Sequence, residues 1–115
     1  VATKQDYKEA FNWFEESANQ KNILGQLNLA LMYQNGLGVE KDLKEAFKLY
    51  QLASDEGNSS SAQYNLGLMY LKGDGIEKNI DKTIEYWIKS SEQGFEVAKN
   101  SLEKLCKESP NSCKK

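Results

Sequence analysis

The 115-residue chain contains no histidine, and all 15 of its basic residues are lysines. Without imidazole it lacks the commonest general base and every Ser-His or Cys-His nucleophile pair. Without guanidinium it lacks the bidentate fork that reads guanine edges, and 17 acidic residues leave a net charge of −2 and no basic excess. No nucleic-acid partner is therefore expected. Two cysteines with no histidine fall short of the usual zinc ligand sets, so neither a metal nor a cofactor is expected. The longest apolar runs are about five residues, such as Leu29-Ala30-Leu31-Met32-Tyr33, where a membrane-crossing helix needs roughly twenty. Membrane insertion is not expected. The chain opens on Val1 and not on methionine, as a processed product would, so the lack of an export signal leaves export open.

What is present is a repeat. Shifting the sequence by 37 residues aligns Leu29 with Leu66, Met32-Tyr33 with Met69-Tyr70, Gly36 with Gly73, Gly38 with Gly75, Tyr50 with Trp87 and Gly57 with Gly94. A shift of 36 extends the match at both ends. Asp6, Ala10, Phe11 and Phe14 precede Asp42, Ala46, Phe47 and Tyr50, while Ala98 and Leu102 follow Ala62 and Leu66. Each unit reads as two helices. In the first type, Ala62, Leu66, Met69, Tyr70 and Gly73 recur at three- and four-residue steps, one apolar stripe. Gly73 stops that helix and Gly75 allows the turn. The second type opens at Asp42 or Asn79 and ends at Gly57 or Gly94; Asp42 with Glu45 and Asp6 with Glu9 fit the capping box.

The fold expected is all-α: a right-handed α/α superhelical solenoid of about three units, six antiparallel helices near 5–20, 23–35, 42–56, 59–72, 79–93 and 95–108. No segment alternates with a strand period, and Pro110 comes after the last of these helices. Residues 1–115 are expected to form a single domain. Within it, 5–20 is the second helix of a first repeat, 23–57 and 59–94 are full repeats, and 95–115 is a capping helix with its tail. A two-helix unit cannot bury its apolar face alone, so neighbours must stack on it.

The pattern Ala62…Leu66-Gly67…Tyr70…Gly73-x-Gly75-Ile76…Asn79, completed by Tyr86-Trp87 and Gly94, resembles the Sel-one-like repeat (SLR) of the tetratricopeptide-like solenoids. The preceding unit repeats it from Gly25 to Gly57, and the resemblance covers nearly all of the chain. Gly25 stands for an Ala, Ala30 for a Gly and Thr83 for an Ala. The chain opens on a second-type helix, whose own first-type partner would lie outside the sequence. The resemblance implies an interaction module: a non-catalytic scaffold that takes another protein or a peptide, is itself monomeric and, in many bacterial members, is exported.

By register, Cys106 takes the place of Tyr33 and Tyr70, and Cys113 that of Glu40 and Glu77. A bridge between them would tie the tail back onto the last helix, as a solenoid cap requires, and this end resembles exported, disulfide-bearing SLR proteins. That implies a periplasmic or secreted protein in host contact or toxin neutralisation. Two free thiols would instead suit a cytoplasmic adaptor. Some cysteine-rich members have been linked to penicillin binding, and Ser101-Leu-Glu-Lys104 matches the Ser-x-x-Lys nucleophile motif. Ten serines and fifteen lysines produce roughly one such match by chance, and the Ser-Asp-Asn and Lys-Thr-Gly companions are absent. No catalytic residue is assigned.

In such a solenoid the first-type helices line the concave face. With the core stripe removed, Leu24, Leu27, Asn28, Leu31, Gln34 and Asn35 remain to face inward from one helix. The next contributes Tyr64, Asn65, Leu68, Leu71 and Lys72, with Lys104 beyond. The pairs Leu27/Tyr64, Leu31/Leu68 and Gln34/Leu71 would form an apolar strip rimmed by amides and lysines, suited to an extended peptide or a partner helix. The alternative for each leucine is packing against the neighbouring repeat. Trp13 stands one place out of register with the recurring aromatics and is expected at the surface.

Overall fold

The structure, a computed structural model, describes residues 2–114, all of whose regular elements are helices. They fall into two compact units that divide after Gly57. The first unit holds α1 (Lys4–Asn19), α2 (Ile23–Asn35) and α3 (Leu43–Gly57). The second holds α4 (Ser60–Lys72), α5 (Ile80–Glu92), α6 (Glu96–Glu108) and α7 (Pro110–Cys113). The six helices read from the sequence match α1 to α6 within two residues at every end. The seventh corrects the expectation that Pro110 lies beyond the last helix. Pro110 opens a short turn of helix, since its fixed φ suits a first helical position and its missing N–H has no partner there in any case.

The ends of the helices are built by named side chains. Asn22 Oδ1 accepts from the Gly25 amide at 2.9 Å, Ser59 Oγ from Ala62 at 3.2 Å and Asn79 Oδ1 from Lys82 at 3.1 Å. Asp42 Oδ1 accepts from Glu45 N at 3.1 Å, one half of the expected capping box, while the Asp42 amide donates to Tyr33 O at 2.9 Å and not to the Glu45 side chain. The first cap lies one turn earlier than the sequence suggested: Thr3, not Asp6, is the N-cap. Asp6 N donates to Thr3 Oγ1 at 3.1 Å while Thr3 N donates to Asp6 Oδ2 at 3.0 Å. The Thr3 backbone amide first, and then the Thr3 hydroxyl, hold the Asp6 carboxyl below its ordinary value. Gly36 and Gly73 end α2 and α4 in the left-handed conformation, at φ 66° and 73°, with the Gly73 amide bonded to Met69 O at 2.8 Å.

In the first unit α2 packs between α1 and α3. Leu29, Ala30, Met32, Ala46, Leu49, Tyr50 and Ala53 form its buried core. The Tyr50 hydroxyl donates to Gln34 Oε1 at 2.8 Å, which satisfies the one polar atom of a fully buried ring. A Cβ on Gly25 would lie 2.5 Å from Ser17 Oγ and 2.9 Å from Ala18 N. That explains why glycine replaces the usual alanine there. Burial pushes the Tyr50 phenol far above its ordinary value of 10.0, and burial first, then Glu45, Glu15 and Asp42, raises Tyr33 as well. Both shifts favour the neutral phenol in the folded state. Their stabilisation is therefore complete below about pH 10 and is lost as pH rises beyond it. Thermal melts from pH 8 to pH 12 should show the melting temperature falling above pH 10, with a shallower fall in Tyr50→Phe.

In the second unit α5 packs on α4 and α6. Thr83, at the place of an alanine, is fully buried because its hydroxyl donates to the Gly67 carbonyl at 2.8 Å. Trp87 Nε1 donates to Tyr64 O at 3.0 Å, and Ser90 Oγ to Ser60 O at 2.8 Å. A Cβ on Gly67 would collide with the Trp87 indole. At the matching place in the first unit, where the aromatic is the smaller Tyr50, Ala30 is accommodated. The expected bridge is present: Cys106 and Cys113 are joined, with Cα atoms 5.6 Å apart, and α7 lies against α6 and α5.

Candidate protein-binding faces

The second-type helices α3 and α5 are amphipathic in the ordinary way, with lysines and carboxylates on the outer side. First-type α2 is not. Gly25, Gln26, Leu29, Ala30 and Met32 turn into the core. Leu24, Leu27, Leu31 and the amides Asn28 and Asn35, spaced three, four and seven apart, occupy the opposite side. Leu24 is 66% exposed and Leu31 41% exposed. A helix apolar on both sides is usually buried on both sides. Here one leucine stripe faces water.

The twelve residues assigned to a binding surface divide as follows. In the first unit, Leu24, Leu31 and Asn35 are exposed and Leu27, Asn28 and Gln34 half-buried. Two of the six are partly committed already. Gln34 accepts from the Tyr50 hydroxyl, and Asn35 Nδ2 donates to the Leu31 carbonyl of its own helix at 3.0 Å. In the second unit, Tyr64, Asn65, Leu68 and Leu71 are half-buried, and Lys72 and Lys104 exposed. None of the twelve is fully buried, so none belongs wholly to the core. Asn28 and Asn65, equivalent by repeat, make no side-chain hydrogen bond among the described residues.

Tyr64 is the most committed of the set. Its ring stacks on Trp87 with centroids 5.7 Å apart and tilts against Phe95 at 5.6 Å, while its hydroxyl lies 3.4 Å from Ser101 Oγ. Leu71 and Lys104 come together beside it. With Trp87, Ser101, Leu105 and Glu108 they line a depression of about 220 Å³ in the second unit. Lys104 and Glu108 bring opposite charges to it, and Leu71 and Leu105 give it an apolar lining. Trp87 and Leu105 are not among the residues the sequence assigns to a binding face; both are buried, and only the fold shows that they line a depression. Ser101 and Lys104, the pair of the chance Ser-x-x-Lys motif, both belong to this depression, where the Ser101 hydroxyl is within reach of Tyr64.

Trp13 is 73% exposed, as its displaced register implied. Among the described residues no helix is long and apolar enough to cross a membrane, and no group of three or more His, Cys, Asp or Glu is placed to hold a metal ion.

A model of the Sel1 repeat matches residues 2–22, 23–58 and 60–95. The chain is a Sel1-repeat protein. Sel1 repeats generally serve as protein–protein interaction scaffolds and are typically not enzymes. Among solved structures, a Sel1 repeat protein from Oxalobacter formigenes is 35% identical and superposes with a TM-score of 0.82 over 91% of this chain and 42% of its own. A protective antigen present in uropathogenic Escherichia coli strains, displaying an SLR fold, is also 35% identical, with a TM-score of 0.80 over 85% of this chain and 21% of its own. Cysteine-rich protein B of Helicobacter pylori is 27% identical, with a TM-score of 0.76 over 88% of this chain and 73% of its own. These matches establish the α/α solenoid class of the fold. The chain spans 8% and 10% of the length of the curated relatives it matches.

Proposed function

We propose that this Sel1-repeat protein is a non-catalytic scaffold that binds a peptide or helix of another protein through the outward faces of its first-type helices. Leu24, Leu27, Asn28, Leu31, Gln34 and Asn35 form the α2 face. Tyr64, Asn65, Leu68, Leu71 and Lys72 form the α4 face, with Lys104 beside it. The water-facing leucine stripe of α2 carries this reading, because leucines spaced along one helical face exposed to solvent are what a partner surface covers. The half-buried, unbonded amides of Asn28 and Asn65 add donors for a peptide backbone. The depression lined by Leu71, Leu105 and Lys104 adds an anchor for an apolar side chain.

The protein acts outside the cytoplasm, in the periplasm or secreted, and its partner is a host protein or a toxin that it neutralises. The Cys106–Cys113 bridge supports the compartment, since such bonds persist in oxidising surroundings. Bacterial proteins of similar structure support the source. Capture from the native envelope and from host extract tests both points, using wild type against Leu24→Asp with Leu31→Asp and, separately, Leu68→Asp. A partner held by wild type and weakened at least tenfold by the α2 variant is the expected result. Equal capture by wild type and variants, all shown to be folded, would remove the site from these faces. Native protein with both cysteines reduced would remove it from the exported class.

A further inference from the structure

The depression in the second unit is built by three consecutive helices. Helix α4 supplies Leu71, α5 supplies Trp87, and α6 supplies Ser101, Lys104, Leu105 and Glu108. The bridge sets Cys113 beside Asp81, Ile84 and Ile88 of α5, none of which lines the depression. Its floor is fixed. The Trp87 indole is buried, stacks on Tyr64 at 5.7 Å and donates its N–H to the Tyr64 carbonyl, so the site needs little reordering to accept a ligand. Its size suits a ring. An apolar cavity of about 150 Å³ takes benzene, and a depression of about 220 Å³ has room for a ring with the methylene that links it to a backbone.

Lys104 and Glu108 are exposed and, among the described residues, neither forms an ion pair. Four residues apart with the lysine first, they stand in the weaker order for a helical pair. Glu108 also puts a negative charge on the last residue of α6, where the helix dipole disfavours it. Neither charge serves the helix well, and both border an apolar hollow. An aromatic ring has a negative face and a positive edge, so it is complementary to an ammonium over one and a carboxylate beside the other. An aliphatic side chain offers neither. On α5 the chain already makes the first of these contacts, with Lys89 Nζ 5.4 Å from the centre of the Tyr86 ring.

We propose that the depression anchors an aromatic side chain of the partner segment, a tryptophan or a tyrosine. The inference rests on the scaffold reading and adds the residue that the partner presents. The ring enters between Leu71 and Leu105, with Lys104 over its face and Glu108 accepting from its N–H or O–H. A phenylalanine would keep the first contact and lose the second.

The probes are N-acetyl-tryptophan amide, N-acetyl-tyrosine amide and N-acetyl-leucine amide, which carry no charge. Titrated into the full chain and followed by two-dimensional NMR, the two aromatic amides should shift the Trp87 indole N–H and the Ser101 and Leu105 amides. The Trp13 indole, exposed in the other unit, is the control for unspecific stacking. The leucine amide should bind at least about threefold more weakly, for want of the contacts to Lys104 and Glu108. Lys104→Ala and Glu108→Ala, at exposed positions and so harmless to folding, should each weaken the aromatic amides and leave the leucine amide unchanged. Ser101→Phe, which puts a ring of the protein's own into the depression, should abolish the shifts. Leucine amide binding as tightly as the aromatic amides, or no shift at Trp87 with any of the three, overturns the proposal. Either result leaves the scaffold reading standing, because capture by the Leu24→Asp, Leu31→Asp variant decides that separately.

Discussion

Trp87→Ala should destabilise the protein by about 3–5 kcal/mol, the usual range for removing a fully packed indole. Three observations set that expectation. The side chain is 3% exposed, its Nε1 donates to the Tyr64 carbonyl, and its ring stacks on Tyr64 while its edge occupies the space a Cβ on Gly67 would need. The void could not be filled by its neighbours, since Gly67 has no side chain to move into it. Urea unfolding of wild type and variant measures the loss, and amide exchange locates it. Protection should fall in α4, α5 and α6, which Trp87 helps to hold together. A loss under about 1 kcal/mol would mean that the α4–α5 hairpin does not depend on this contact.

Replacing Cys106 and Cys113 together by serine should cost about 2.5 kcal/mol, the chain-entropy value for closing a loop of this length. The bridge joins residues seven apart, so the effect is smaller than for Trp87. It is also more local. Helix α7 has four residues, far below the length at which a helix persists alone, and without its tether it should unravel. Beside it lies a groove of about 460 Å³ lined by Asp81, Ile84, Glu85, Ile88, Ser112 and Cys113. Releasing α7 should open the Ile84–Ile88 side of α5 to water. A hydrophobic dye should therefore brighten on reduction of wild type and be bright from the start in the double variant. An unchanged urea midpoint and unchanged dye signal would show that the bridge constrains nothing that matters to the folded state.

Much of this was legible in the sequence for a physical reason. A 36- or 37-residue period imposes the same stripe, the same glycine stop and the same cap on each unit, so α2 and α4 could be placed from either copy. Where the repeat falters, so did the reading. Thr3 lies ahead of the first aligned position, so the repeat points to Asp6 as the cap, whereas Asp6 is the third residue of the capping box. Helix α7 has four residues, too short to show a period, so Pro110 reads from the sequence as lying after the last helix although it opens α7. The binding faces were partly legible. Periodicity separates the core side of α2 from its outer side and so marks Leu24 and Leu31 as outer residues. It does not reveal bonds across a hairpin, so the ties of Gln34 to Tyr50 and of Tyr64 to Trp87 became visible only in three dimensions.

The central claim is that a partner protein seats on the outer faces of the first-type helices. Site-specific photo-crosslinking with the captured partner tests it most directly, with a reactive phenylketone in place of Leu24, Leu31 or Lys72, and of Lys48 on α3 as the control. Adducts from positions 24, 31 and 72 and none from 48, all four exposed, are the predicted result. Adducts from 48 with none from the other three would place the partner on the second-type helices and contradict the account.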